Sequence, residues 1–134
     1  MTSPEVVLSR AVTRGVRIDV EPEYLEHQSD PKRGLWMFGY HVTVRNEGTE
    51  PVQLVSRHWI ITDATGRVEE IRGPGVIGEQ PVIPPGRSFE YRSGCPLPTA
   101  MGTMHGTYQM VTQKGERFDA TIAPFTLAEP YSLN

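Results

Sequence analysis

Alternation of apolar and other residues over residues 36–44 is the feature that most constrains the fold. Every second residue of this stretch is large and apolar: Trp36, Phe38, Tyr40, Val42 and Val44. Side chains of an extended chain point to opposite faces in turn, so this spacing places all five on one face of a strand. The pattern therefore predicts a β-strand whose apolar face packs on a core.

The same period recurs along the chain between segments typical of turns. A first strand is predicted near residues 15–25, and a third over Val52–Asp63, where apolar residues fall on both parities. That double parity indicates either burial on both faces or a β-bulge. The polar segment Arg67–Arg72 is predicted to lie at a sheet edge. Later strands are marked by Phe89, Tyr91, Tyr108, Met110, Phe118, Ala120 and Ile122.

About seven short strands are predicted, and no segment other than residues 6–12 offers the sustained helical period that a parallel crossover needs. The 13 glycines and 12 prolines are typical of a core interrupted by many turns. This pattern predicts an all-β fold, an antiparallel β-sandwich like the immunoglobulin and fibronectin type III domains. We expect one domain over residues 1–134, with residues 1–13 as a poorly ordered N-terminal extension.

Composition narrows the classes of partner. The net charge is −3, and no basic run is longer than Lys32-Arg33, so we expect no nucleic acid partner. Nowhere does the chain contain the about 18 consecutive apolar residues that a membrane span needs, so we expect no membrane insertion. Cys95 is the only cysteine, and residues 1–15 lack the apolar stretch of an export signal. Both features favour the cytoplasm.

Several spaced motifs are shared with one known family. They are the HWIITD segment at residues 58–63, GPGVIGEQP at 73–81, YRSG at 91–94 and G-x-M-x-G-x-Y at 102–108. On these motifs the chain resembles the ApaG family over about residues 14–130. The resemblance is specific because separate motifs agree in order.

The resemblance implies a fibronectin-type β-sandwich found in bacteria, and fused in eukaryotes to F-box proteins and to a polymerase-interacting protein. Such fusions are typical of interaction modules. The family is also associated with cobalt tolerance and magnesium efflux, and its gene often neighbours that of a diadenosine tetraphosphate hydrolase. We therefore expect a non-catalytic protein-interaction or regulatory module with an unidentified protein partner. A homodimer is a further option, because open sheet edges can pair across a two-fold axis.

A glycine-rich segment offers an alternative function. Gly73, Gly75 and Gly78 form a G-x-G-x-x-G pattern, but the three prolines that follow leave no room for the helix of a dinucleotide-binding fold. Glycines with positive φ can still present successive N–H groups to an anion, and Arg72 and Arg87 lie nearby in sequence. The alternative is therefore a phosphate or pyrophosphate site, or a divalent-ion site, built around this loop.

Metal binding is not expected from the histidine pattern. The four histidines lie on different predicted elements, with no pair at ligand spacing. The acidic group of Asp63, Glu69 and Glu70 is typical of a solvated edge strand. We therefore predict no metal site and no cofactor.

Nucleophilic catalysis is not expected either. Ser93 and Cys95 flank a glycine, and His105 would have to approach them through the fold. A lone cysteine before proline is more often a small buried apolar residue than an activated thiolate, so we predict no enzyme activity. Trp36 and Trp59 are assigned to the space between the sheets.

Overall fold

The computed structural model describes residues 8–130, which form two antiparallel sheets and two short 3₁₀ turns, Glu26–Gln28 and Pro31–Arg33. In this range no helix is long and apolar enough to cross a membrane. In chain order the strands are β1 Ser9–Thr13, β2 Val16–Tyr24, β3 Trp36–Asn46, β4 Val52–Asp63, β5 Val68–Pro74, β6 Val82–Ile83, β7 Ser88–Leu97, β8 Met101–Thr112 and β9 Arg117–Ala128.

The two sheets pack face to face as a sandwich. One sheet has the order β1-β2-β3-β7, and the other has the order β5-β4-β8-β9 with β6 also paired to β4. All these pairings are antiparallel. The predicted all-β sandwich is confirmed. The described residues hold two more strands than the seven predicted, because β1 and the two-residue β6 have no clear period of their own.

The predicted N-terminal extension is wrong for residues 9–13. These residues form β1, which pairs with β2 from Ser9 opposite Val20 to Thr13 opposite Val16. The hairpin is closed by two residues with positive φ, one of them Gly15, and the turn sequence was the signal that could have revealed it. Residues 1–7 lie outside the described residues.

A β-bulge explains the double parity of β4. The register of β4 against β8 shifts between Leu54 and Ser56. Leu54 before the bulge and Trp59 and Ile61 after it are therefore all buried in the core, although their numbers differ in parity. The predicted bounds of this strand are confirmed, and β5 lies at a sheet edge as predicted.

Trp59 lies at the centre of the space between the sheets and is almost fully buried. Its ring meets Tyr40, Tyr108 and Phe125 at centroid distances of 5.4, 6.2 and 5.9 Å in edge-to-face arrangements. Such aromatic packing stabilises a core beyond the burial of surface alone. The other tryptophan, Trp36, is only partly buried, so its assignment to the core holds in part.

The two long sides of the sandwich differ. On one side β1 and β2 lie against β9, where the Thr121 amide donates to Thr13 Oγ1 at 3.1 Å. Arg14 closes this side further, with Nη2 at 3.1 Å from the Glu116 carboxylate and its guanidinium 4.9 Å from the centre of the Phe118 ring. On the other side β5 and β7 are unpaired edges with a cavity between the sheets. The sandwich is therefore closed along β9 and open between β5 and β7.

Two glycines of β8 allow this strand to approach β4 closely. An added Cβ at Gly102 would lie 2.7 Å from the Thr62 carbonyl oxygen, and one at Gly106 would overlap the His58 carbonyl oxygen. Gly106 is also paired with Trp59 and lies at a register shift between β8 and β9. These contacts give the G-x-M-x-G-x-Y motif a structural reason, because side chains at its glycines would push β4 away.

We predict that Gly106→Ala lowers the free energy of unfolding by about 1 to 3 kcal/mol, because the methyl group forces two paired backbones apart. Thr103→Ala is the matched control, since Thr103 lies on the exposed face of the same strand. The control should change the stability by no more than about 0.5 kcal/mol. Urea denaturation of both variants makes the comparison, and equal losses would contradict the close approach.

Candidate functional site

An open cavity of about 270 Å³ lies between the sheets on the side of β5 and β7. Apolar side chains form the floor of the cavity, and hydroxyl and charged groups line the rest of it. Both sheets contribute, so the cavity exists only because the sandwich is left open here. The side chains that define its chemistry are Tyr40, Arg57, Trp59, Ile71, Ser93 and Met104.

Arg57 is the unusual residue of this cavity, because it occupies a core-facing position of β4. After the bulge, Arg57 has the same parity as Trp59 and Ile61, and all three line the cavity. The arginine Nη1 donates hydrogen bonds to the carbonyl oxygens of Pro74 at 2.9 Å and Gly75 at 2.8 Å. No ion pair within residues 8–130 involves Arg57. Its cation is therefore held by backbone carbonyls rather than by a carboxylate.

Gly73 makes room for this arginine. An added Cβ at Gly73 would lie only 3.0 Å from Arg57 Nη2, so the guanidinium covers the bare backbone of β5. Gly73 is also paired with Arg57 in the β4–β5 register. Gly73 is the first glycine of the G-x-G-x-x-G pattern. Because it has no side chain, it leaves room for the guanidinium of Arg57 on the neighbouring strand.

The charge of Arg57 acts on three tyrosine phenols. The hydroxyls of Tyr91 and Tyr108 contact each other in the core, and burial raises the pKa of both phenols. Burial also raises the pKa of Tyr40, an increase that the Ser93 hydroxyl partly offsets. The positive charge of Arg57 lowers each of these pKa values to a smaller extent than burial raises it. All three phenols are neutral near pH 7 and can donate hydrogen bonds.

Cys95 lies in the wall of the cavity and is buried, which confirms its assignment as a small apolar residue. Burial raises the pKa of its thiol to about 11, and the nearby Glu69 carboxylate adds to the increase. The thiol is therefore protonated near pH 7, the opposite of what a nucleophile requires. His105 is paired opposite Ile60 in the other sheet, so the structure does not bring it to Cys95.

The glycine-rich loop connects two strands, β5 and β6, that lie at the same sheet edge. Both β5 and β6 pair with β4, so the chain leaves β4 after Pro74 and returns to it at Val82. The Gly75 amide donates to the Val55 carbonyl at 2.8 Å, and two backbone hydrogen bonds between Val76 and Glu79 close a tight turn. The N–H groups of Gly75 and Val76 are therefore used within the protein.

The residues predicted for the anion site lie on different elements of the fold. Arg72 lies opposite His58 on β5, whereas Arg87 follows β6, which ends opposite Val52. These two positions of β4 are six residues apart, a span of about 20 Å in an extended strand. Gly75 and Gly78 do have positive φ, as the hypothesis required. Anion binding by this loop stays a prediction, and the arginine that contacts the loop is Arg57.

Two of the histidines form pairs with carboxylates. His41 Nε2 lies 3.2 Å from Glu90, and His58 Nε2 lies 2.8 Å from Glu70. Each is a cross-strand pair between adjacent strands, which is an ordinary way to satisfy such side chains. In the part of the chain that the structure describes, no three His, Cys, Asp or Glu side chains come together as metal ligands would.

We predict that Gly75→Ala costs more stability than Gly78→Ala. Both glycines have positive φ, but an added Cβ at Gly75 would overlap the Glu79 carbonyl, whereas the space at Gly78 is open. Backbone strain alone should cost about 1 kcal/mol at Gly78, and strain with overlap about 2 to 4 kcal/mol at Gly75. Thermal and urea melts of the pair give the test, and equal costs would contradict this loop geometry.

Comparisons with known proteins agree with this architecture. A profile of the ApaG domain matches residues 26–112. The protein ApaG of Rhodospirillum centenum is 56% identical over 120 residues, covering 90% of this chain and 92% of that protein. The protein ApaG of an Azoarcus species is 50% identical over 127 residues, covering 95% of this chain and all of that protein.

Solved structures extend the agreement to the fold. A crystal structure described as an ApaA protein of Bordetella pertussis has a TM-score of 0.84 at 51% identity, covering 86% of this chain and 94% of that one. The C-terminal domain of wzt has a TM-score of 0.53 at 14% identity, over 94% of this chain and 78% of that one, which is a likeness of fold alone. On the profile match and these identities, this chain belongs to the ApaG family.

Proposed function

We propose that this chain is a non-catalytic interaction module that binds a partner protein along its β5–β6 edge. One observation carries the proposal. Six large hydrophobic side chains are exposed within residues 8–130, and four of them lie on this single edge or on the loop that interrupts it. These four are Val68, Ile71, Ile77 and Val82, with 56%, 38%, 57% and 60% of their surface exposed.

The backbone of this edge suits such a partner. An edge strand has free N–H and C=O groups on its outer side, which can pair with an extended segment of another protein. Glu70 and Arg72 place both signs of charge on β5 beside its apolar side chains. Apolar contacts would supply affinity, and the charges would select a segment with the complementary pattern.

The chemistry of the cavity supports binding without turnover. Near pH 7 the Cys95 thiol is protonated and the Tyr40 phenol is neutral, so neither of these cavity groups is an activated nucleophile or base. On this proposal, the family's association with cobalt tolerance and magnesium efflux reflects an effect exerted through the partner. We place that partner in the cytoplasm, in keeping with the lone cysteine.

The test is affinity capture of the full chain from the cytoplasm of its source, with mass spectrometry of stoichiometric partners. We predict that Val68→Lys and Val82→Lys abolish capture of a partner that the wild type retains. Val12→Lys is the matched control, because Val12 is 55% exposed but lies on the edge of the other sheet, and it should retain the partner.

Two outcomes would contradict the proposal. One is a partner captured equally by wild type and by the β5–β6 variants, and the other is repeated absence of any stoichiometric partner. A second copy of this chain is a distinct outcome, detected by sedimentation of the purified protein. In that case wild type would dimerise and Val68→Lys would sediment as a monomer.

A further inference from the structure

We propose that the cavity around Arg57 is a binding site for a small organic acid with one carboxylate. The carboxylate would bind the guanidinium, and the apolar part of the molecule would lie on the floor formed by Trp59 and Met104. This site lies between the sheets and shares only Ile71 with the four exposed apolar side chains of the β5–β6 edge, so it does not depend on the protein partner proposed above.

Arg57 has the donors and the fixed position that a carboxylate receptor needs. A guanidinium has five N–H donors in one plane, and both of the hydrogen bonds to Pro74 and Gly75 leave from Nη1. The remaining donors, on Nε and Nη2, match the two oxygens of a carboxylate. Because the carbonyls already fix the side chain, binding would cost little additional side-chain entropy.

The size of the cavity favours a small molecule. Its volume of about 270 Å³ is just below the about 300 to 1,000 Å³ typical of pockets for drug-sized ligands. The floor of Trp59 and Met104 and the side wall of Ile71 are apolar. A short aliphatic chain or a single ring fits this volume and this lining.

Charge selects a monocarboxylate over phosphate. Arg57 and Glu69 are the only charged residues among the described ones that line the cavity. Glu69 is four residues from Gly73, the partner of Arg57, which places it about 13 Å along β5 at the other end. One negative charge beside Arg57 is therefore balanced, whereas a dianion would have no second cation among the described residues that line the cavity.

Neutral hydroxyls complete the anion-binding end. Ser93 is paired with Tyr40 in the β3–β7 register, and both residues line the cavity together with Arg57. A neutral phenol can donate a hydrogen bond to a carboxylate without exchanging its proton. The site would therefore bind the acid reversibly in its ionised form.

The test is NMR titration of the ¹⁵N-labelled full chain with sodium acetate, butyrate and phenylacetate, each to tens of millimolar. We expect saturable shifts at Arg57, Ile71 and Ser93, with affinity rising as the apolar part grows. Phenylacetamide, the neutral isostere of phenylacetate, should bind at least about tenfold more weakly. Inorganic phosphate should give no saturable shift at these residues.

Variants locate the carboxylate. Arg57→Gln should weaken phenylacetate binding at least about tenfold, whereas Arg72→Gln, on the exposed part of β5, should not change it. If Arg57→Gln fails to fold, Ser93→Leu keeps the arginine, narrows the cavity and should abolish binding. Four results would overturn the proposal: no saturation by any of the three acids, equal binding of phenylacetamide, unchanged binding by folded variants, or tighter binding of a tripeptide ending in phenylalanine.

Discussion

The close approach of β4 and β8 is the constraint on which the rest of the structure depends. Because Gly106 has no side chain, the backbone of β8 lies against that of β4, directly beside Trp59. The Trp59 ring then fills the middle of the sandwich, where it meets aromatic rings from three other strands. The bulge in β4 keeps residues on both sides of it facing the core, and it is the reason that Arg57 faces inward.

This arrangement leaves the molecule asymmetric. The sheets are joined by side-chain contacts along β9, whereas β5 and β7 stay apart as unpaired edges. Two different surfaces result on the open side. The outer edge of β5 and β6 has exposed apolar side chains, and among the described residues Arg57 is the only cation that lines the space between the sheets.

Sequence reasoning predicted β2 and β3 from alternation, which is the direct result of one-sided burial, and it predicted β4 in spite of its double parity. It missed β1, because this strand is indicated by the turn residues that follow it and not by alternation of apolar residues. It also missed Arg57, since an arginine on a strand is usually exposed and the bulge that turns it inward depends on pairing with β8. The positions of Arg72 on β5 and of Arg87 after β6 likewise depend on long-range pairing, which spacing in sequence does not report.

Native-state hydrogen exchange measured by NMR tests the open side of the sandwich most directly. In β4 and β8, which lie inside a sheet, the amides away from the register shifts at Val55 and His105 should exchange slowly. In β5, the amides that face β4 should be protected, and the alternate amides on the outer edge should exchange quickly. Protection of every β5 amide to the level of β8 in the dilute protein would mean that this edge is covered, and would contradict the account.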